Sequence, residues 1–194
     1  MLVLDMNNIK DAKITLSLIF INILCYFIFN LVLNESIILG LVQINRFIIE
    51  NLEVWRLFTS MFLHADIFHL FFNMIALLLF GVTIENSRRY TKIQYLIIYI
   101  LSGLIGNLFS LFLLPPEVIS LGASGAIFGL IGATFIMIYT EDKSLLFLGF
   151  IYICYFIITS LAPGINLWAH LFGLLGGISF GYIFKKKKVR DPYY

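Results

Sequence analysis

Charge is scarce in this chain. Of its 194 residues, 12% are charged and 61% are hydrophobic. Soluble domains average about 25% charged and about 45–50% apolar residues. So thin a polar surface excludes a water-soluble globular domain and leaves a polytopic membrane protein. Cysteine is nearly missing: Cys25 and Cys154 lie far apart inside apolar runs. That pattern excludes a disulfide framework and a CxxC metal site, and leaves two buried free thiols as the expectation. Histidine occurs three times, as His64, His69 and His170. His64 and His69 are five apart, about 140° around a helix at about 100° per residue. They do not make the i,i+4 pair of a zinc protease, and no carboxylate lies between them in the needed register. No metal site and no cofactor are expected.

What is present is apolar length. A spanning helix needs about 20 mostly apolar residues. Six segments come close: 14–33, 67–84, 93–114, 121–139, 144–162 and 166–184. The breaks between them carry charges or helix breakers: Glu85 to Lys92, Pro115-Pro116-Glu117, Glu141-Asp142-Lys143 and Pro163-Gly164. Most breaks are short, so consecutive helices should be antiparallel neighbours. The expected fold is all-α, one membrane domain over 1–194, with a short N-terminus 1–13, a six-helix core 14–184 and a basic tail 185–194. The stretch 34–66 mixes Ile37, Ile38, Phe47, Ile48, Ile49 and Trp55 with Arg46, Glu50, Glu53 and Arg56. It is too polar to span and too apolar for a free linker. It reads as a long interfacial first loop with short helices in the headgroup plane. No cleavable signal is expected, since the apolar run after Lys13 is too long and no small-residue cleavage site follows it.

Lysine and arginine give the orientation. With six spans both termini share a side. Lys10, Lys13, Arg88, Arg89, Lys92, Lys143, Lys185 to Lys188 and Arg190 fall on one face, and only Arg46 and Arg56 on the other. Eleven against two makes the termini cytoplasmic by the positive-inside rule. The tail from Lys185 to Lys188 reads as a topology anchor that also attracts anionic lipid. Nucleic-acid binding has no support beyond that tail.

The polar residues inside the apolar segments are costly to keep there and therefore informative. Ser124 starts the fourth segment in Leu121-Gly-Ala-Ser124-Gly125-Ala126, and His170 lies about one turn into the sixth. His69 is about one turn and Asn73 about two turns into the second. At ~1.5 Å rise per residue, all four lie within roughly 10 Å of the outer ends of their helices. His69 and Asn73 are i,i+4 and share a helix face. Serine is a poor nucleophile without a base in reach, and His170 is the one histidine outside the second helix region. No Asp or Glu lies near it, so a Ser-His dyad is expected rather than a triad. The Ser124 backbone N–H, with the His69 and Asn73 side chains, would supply oxyanion donors. Gly122 allows a tight turn before the helix, and Gly125 keeps the serine uncrowded.

Small residues recur at helical spacing. Gly173, Gly177 and Gly181 share a face with His170, and Gly125, Gly129 and Gly132 recur on the fourth helix. Such spacing lets backbones approach. Ser102, Gly103, Gly106 and Asn107 on the third helix read as packing.

At this point the chain resembles the rhomboid family of intramembrane serine proteases, from about Glu53 to Gly181. Trp55-Arg56 resembles the family's first-loop pair. His64-Ala-Asp-Ile-Phe-His69-Leu-Phe-Phe-Asn73 resembles its helix-two signature, and Glu85 falls where the family has a carboxylate near the cytoplasmic end of that helix. Gly122-Ala-Ser124-Gly125 matches GxSG, and Ala169-His170-Leu-Phe-Gly173-Leu-Leu-Gly-Gly177 matches AHxxGxxxG. The resemblance implies a six-transmembrane-helix rhomboid core and cofactor-free cleavage of single-pass transmembrane proteins in or near their membrane segment. By the family pattern Ser124 is nucleophile, His170 base, and His69 and Asn73 oxyanion binders. Trp55, Arg56 and His64 would support the first loop. Four residues after the serine the family often has Tyr stacked on the histidine; Phe128 here keeps the ring and loses the hydroxyl. By analogy, the loop Leu161 to Asn166 would move with helix five as a gate. The expected partners are transmembrane substrates and membrane lipids, with a monomer as catalytic unit. Small size and minimal topology point to a prokaryotic cell membrane. A non-proteolytic binding module or chaperone is the rival reading. A transporter is weaker, for no charged residue sits mid-membrane and no inverted repeat is visible.

Overall fold

Asp66 and Thr91 fix where two of the long helices begin. The Asp66 carboxylate accepts from the backbone N–H groups of Phe68 at 2.9 Å and His69 at 2.8 Å. Thr91 and Gln94 form a reciprocal capping box. Each device satisfies donors that a helix start leaves without partners. The computed structural model describes residues 6–32, 34–141 and 143–184. The tail Lys185 to Lys188, expected to be the anchor, and Arg190 lie outside the described residues.

In chain order the elements are α1 (Met6–Asp11), α2 (Lys13–Leu31), α3 (Glu35–Leu39), β1 (Gln43–Ile44), α4 (Asn45–Asn51), α5 (Arg56–Thr59), α6 (Ile67–Glu85), α7 (Lys92–Leu113), β2 (Ile119–Ser120), α8 (Ser124–Glu141), α9 (Leu146–Thr159) and α10 (Leu167–Phe184). Of these, α2, α6, α7 and α10 are long and apolar enough to cross a membrane; α8 and α9 are apolar but shorter. Two boundaries differ from the sequence pattern for physical reasons. Helix α8 starts at Ser124 rather than 121, because Gly122 takes φ +126° and breaks the helical path. Helix α9 stops at Thr159, short of the Pro163-Gly164 turn, where Gly164 has φ +81°.

The first loop folds onto one end of the bundle as α3, β1, α4 and α5. Strand β1 pairs antiparallel with β2, Gln43 opposite Ser120 and Ile44 opposite Ile119. These two-residue strands are an addition to the all-α expectation. Gln43 Nε2 reaches the Asn107 carbonyl at 3.1 Å, and Asn107 Nδ2 reaches the Leu57 carbonyl at 2.8 Å. Asn107 therefore holds the loop to α7 as well as packing.

Helix α8 runs through the middle of the bundle, against α10, α7 and α6. A Cβ on Gly173 would collide with the Gly125 carbonyl, and one on Gly177 with the Gly129 carbonyl. On α7, a Cβ on Gly106 would collide with the Ala169 backbone. Tyr95 and Tyr99 are fully buried in the core, and the Tyr95 hydroxyl meets the Thr15 hydroxyl of α2 at 2.9 Å. Helix α9 is different: it has no buried residue, and Phe147, Phe150, Tyr155 and Ile158 stand exposed. Cys25 and Cys154 are free and half-buried, not buried as the apolar runs suggested.

At the opposite end, the Glu85 carboxylate accepts from the Ile14 and Thr15 N–H groups at 3.0 and 2.7 Å. It also accepts from the Thr15 hydroxyl at 2.7 Å and from Lys92 at 3.0 Å. One side chain at the end of α6 thus closes the open first turn of α2.

Candidate active site

A strand, a turn and a helix place Ser124. Strand β2 leads into Gly122, whose N–H donates to the Ser60 carbonyl at 2.9 Å. A Cβ at Gly122 would lie 2.8 Å from His69 Nε2. Glycine is needed there twice over, for its positive φ and for the approach of the imidazole. Ser124 then opens α8, where the first backbone N–H groups have no partner within the helix.

His170 lies one turn into α10 and is 7% exposed. Its Nε2 is 2.7 Å from Ser124 Oγ. Its ring stacks on Phe128, centroids 4.3 Å apart and planes 14° apart. Its Nδ1 is 2.7 Å from Ser160 Oγ, at the end of α9. The glycine contacts between α8 and α10 allow this meeting, for any side chain at Gly125, Gly173 or Gly177 would press on the facing backbone. A hydroxyl in hydrogen-bond contact with an imidazole is the arrangement that makes a serine nucleophilic.

His69 and Asn73 line the same cavity as Ser124, His170 and Phe128, a space of about 570 Å³ closed on one side by Pro163 to Asn166. One Asn73 Nδ2 hydrogen goes to the His69 carbonyl at 2.9 Å; the amide carries a second. The Ser120 hydroxyl accepts from Asn166 Nδ2 at 2.9 Å, and Asn166 Oδ1 caps α10 at the Ala169 N–H.

His64 stands apart. Its buried ring meets the His69 ring edge-on at 5.0 Å but faces a smaller cavity of about 230 Å³, between α2 and the first loop. Burial first, and the His69 imidazole second, push its pKa down to about 3. Trp55 and Arg56 lie in the loop. Trp55 Nε1 donates to the Gly40 carbonyl at 3.2 Å. The 4%-exposed Arg56 reaches the Leu39 and Val42 carbonyls and pairs with Glu53. That pairing holds the Glu53 carboxyl below its usual range.

Sequence reasoning missed Ser160, Ser120 and Asn166. Asn166 carried a signal, an Asn just before an apolar helical run. Ser160 carried none.

An apolar helical bundle in which a half-buried serine meets a buried imidazole at one end defines a class: a helical membrane protein with a serine–histidine pair. The Rhomboid domain profile matches residues 51–187, and the chain belongs to the rhomboid family. It is 36% identical over 151 residues to "Putative rhomboid protease YdcA" of Bacillus subtilis (strain 168), covering 73% of each chain. It is 36% identical over 142 residues to "RHOMBOID-like protein 6, mitochondrial" of Arabidopsis thaliana, covering 70% of this chain and 45% of that one. It is also 40% identical over 84 residues to "Inactive RHOMBOID-like protein 8" of Arabidopsis thaliana, covering 43% of this chain and 30% of that one. The chain thus matches less than half the length of either plant relative.

Proposed function

We propose that this chain is an intramembrane serine endopeptidase that cleaves single-pass transmembrane proteins in or near their membrane segment. The observation that carries the reading is the 2.7 Å contact between Ser124 Oγ and His170 Nε2 inside a polar-lined cavity. Ser124 attacks the scissile carbonyl carbon while His170 takes its proton. His170 then returns that proton to the leaving amine, and water hydrolyses the acyl-enzyme by the same steps in reverse. The oxyanion meets the Ser124 N–H at the helix N-terminus, with the His69 and Asn73 side chains.

All six apolar helices α2, α6, α7, α8, α9 and α10 span the bilayer in this reading. The charge count puts both termini in the cytoplasm and the site near the outer face of a prokaryotic cell membrane. The basic tail meets anionic lipid, and the catalytic unit is a monomer. Substrate arrives laterally past α9. A groove of about 220 Å³ between α6, α8 and α9, and the lack of buried residues on α9, support that route. A substrate stretch of weak helix formers lowers the cost of unwinding at the site.

The test is labelling of the purified, detergent-solubilised protein with a fluorophosphonate serine probe, beside Ser124→Ala and His170→Ala. Labelling that disappears in both variants is expected. No labelling of a well-folded wild type would overturn the reading and favour a non-proteolytic binding module.

A further inference from the structure

Ser160 has no part in the protease reading, on which the inference below rests. It is 2% exposed, and its Oγ lies 2.7 Å from His170 Nδ1 and 2.7 Å from the Phe156 carbonyl oxygen. A hydroxyl has one hydrogen to give. A carbonyl oxygen only accepts, and two oxygens 2.7 Å apart repel unless a hydrogen lies between them. The Ser160 hydrogen therefore points at Phe156. That carbonyl also takes the Thr159 hydroxyl at 2.8 Å, so donors converge on it. Towards His170, Ser160 offers a lone pair, and Nδ1 must carry the ring proton. A neutral imidazole holds one proton, so Nε2 is left bare, 2.7 Å from Ser124 Oγ. Three hydrogen bonds then run in one direction, from Ser124 to His170, from His170 to Ser160 and from Ser160 to Phe156.

We propose that Ser160 is a positioning residue that fixes the His170 tautomer, taking with a neutral hydroxyl the place a carboxylate holds in a Ser-His-Asp triad. When Ser124 attacks, its proton moves to Nε2 and the ring becomes imidazolium. Nδ1–H keeps its bond to Ser160, now charge-assisted. Ser160 itself neither gains nor loses a proton, and the Nε2 proton leaves with the amine. A neutral acceptor avoids a second buried charge, which would be costly beside an uncharged resting imidazole. The imidazole thus has a second hydroxyl partner besides Ser124.

The experiment compares wild type, Ser160→Thr and Ser160→Val as purified full-length chains in detergent. Thr and Val have nearly the same shape, and only Thr keeps the hydroxyl. With 15N-labelled histidine, the His170 signals are those missing from His170→Ala, and they report which ring nitrogen is protonated. Wild type and Ser160→Thr are expected to hold the Nδ1–H form, and Ser160→Val to lose it for the Nε2–H form or a mixture. Fluorophosphonate labelling should slow about tenfold in Ser160→Val and recover in Ser160→Thr. An unchanged tautomer in Ser160→Val overturns the proposal. Equal losses in Thr and Val also overturn it, by assigning Ser160 to packing. Failure of the protease reading looks different: wild type is not labelled at all, whatever its tautomer.

Discussion

Gly173 of α10 lies against Gly125 of α8 so closely that a Cβ on Gly173 would collide with the Gly125 carbonyl. Ser124 is the neighbour of one glycine and His170 is one turn from the other. The spacing of the two backbones therefore sets the distance between the reacting groups. Gly173→Val is expected to push the helices apart and destabilise the fold by about 1–3 kcal/mol. Labelling should fall further than that, about a hundredfold, since a shift near 1 Å is enough to spoil a near-attack geometry. Thermal unfolding and probe labelling on the same samples check both. Wild-type labelling in Gly173→Val would sever this link between spacing and reactivity.

Phe128 holds the plane of the His170 ring by stacking at 4.3 Å. Such aromatic contacts are worth about 0.5–1.5 kcal/mol beyond burial. Phe128→Leu keeps the burial and loses the stack, so labelling should slow by up to about tenfold. Phe128→Tyr should label close to wild type. If Leu and Tyr behave alike, the ring face is not what orients His170.

Depth along the helices was the part of the site that the sequence displayed most openly. Ser124, His69, Asn73 and His170 are polar residues in apolar runs, and the flanking charges set which ends lie together. In the structure all four line one cavity. The Ser160 contact was not legible, because it crosses the Pro163-Gly164 turn and depends on how α9 ends against α10. A serine near a helix end looks the same whether it meets a ring or back-bonds to its own helix, and Ser160 does both. The pairing of β1 with β2 was hidden for another reason: two residues are too few to show a period of two. Asn107 read as packing because its partners sit in the first loop, whose folding has no sequence signature of its own.

Glu85 and Thr15 join α6 to α2 far from the cavity. Removing the carboxylate leaves the Ile14 and Thr15 N–H groups without their acceptor, while the Thr15 hydroxyl keeps the Tyr95 hydroxyl at 2.9 Å. Glu85→Ala is expected to destabilise by about 1–3 kcal/mol for each group left unsatisfied. Glu85→Gln keeps one acceptor oxygen and should recover part of the loss. Labelling of Ser124 well below the unfolding temperature should stay near wild type in both. A large loss of labelling without loss of stability would place Glu85 in the site's own machinery instead.

His64 gives the fold a dependence on acid. The side chain is 2% exposed, and the Phe62 backbone, its one polar neighbour by hydrogen-bond reach among the described residues, offsets only part of the cost of burying a charge there. His69 and Asp66 lie near it in its own segment, and Tyr26 shares its cavity from α2. Its folded pKa of about 3 lies below the value of about 6.5 of an unfolded histidine. Above pH 6.5 neither state binds the proton and stability does not change on this account. As pH falls from there towards 3, the unfolded chain takes up a proton that the folded one refuses. Stability then drops by about 1.4 kcal/mol per pH unit, or about 2 kcal/mol between pH 6.5 and 5. His64→Phe keeps an aromatic ring and removes the titration. Unfolding measured at pH 7 and pH 5 should therefore show a larger loss for wild type than for His64→Phe, by about that amount. Parallel losses in the two proteins would mean that folded His64 accepts its proton as readily as the unfolded chain does.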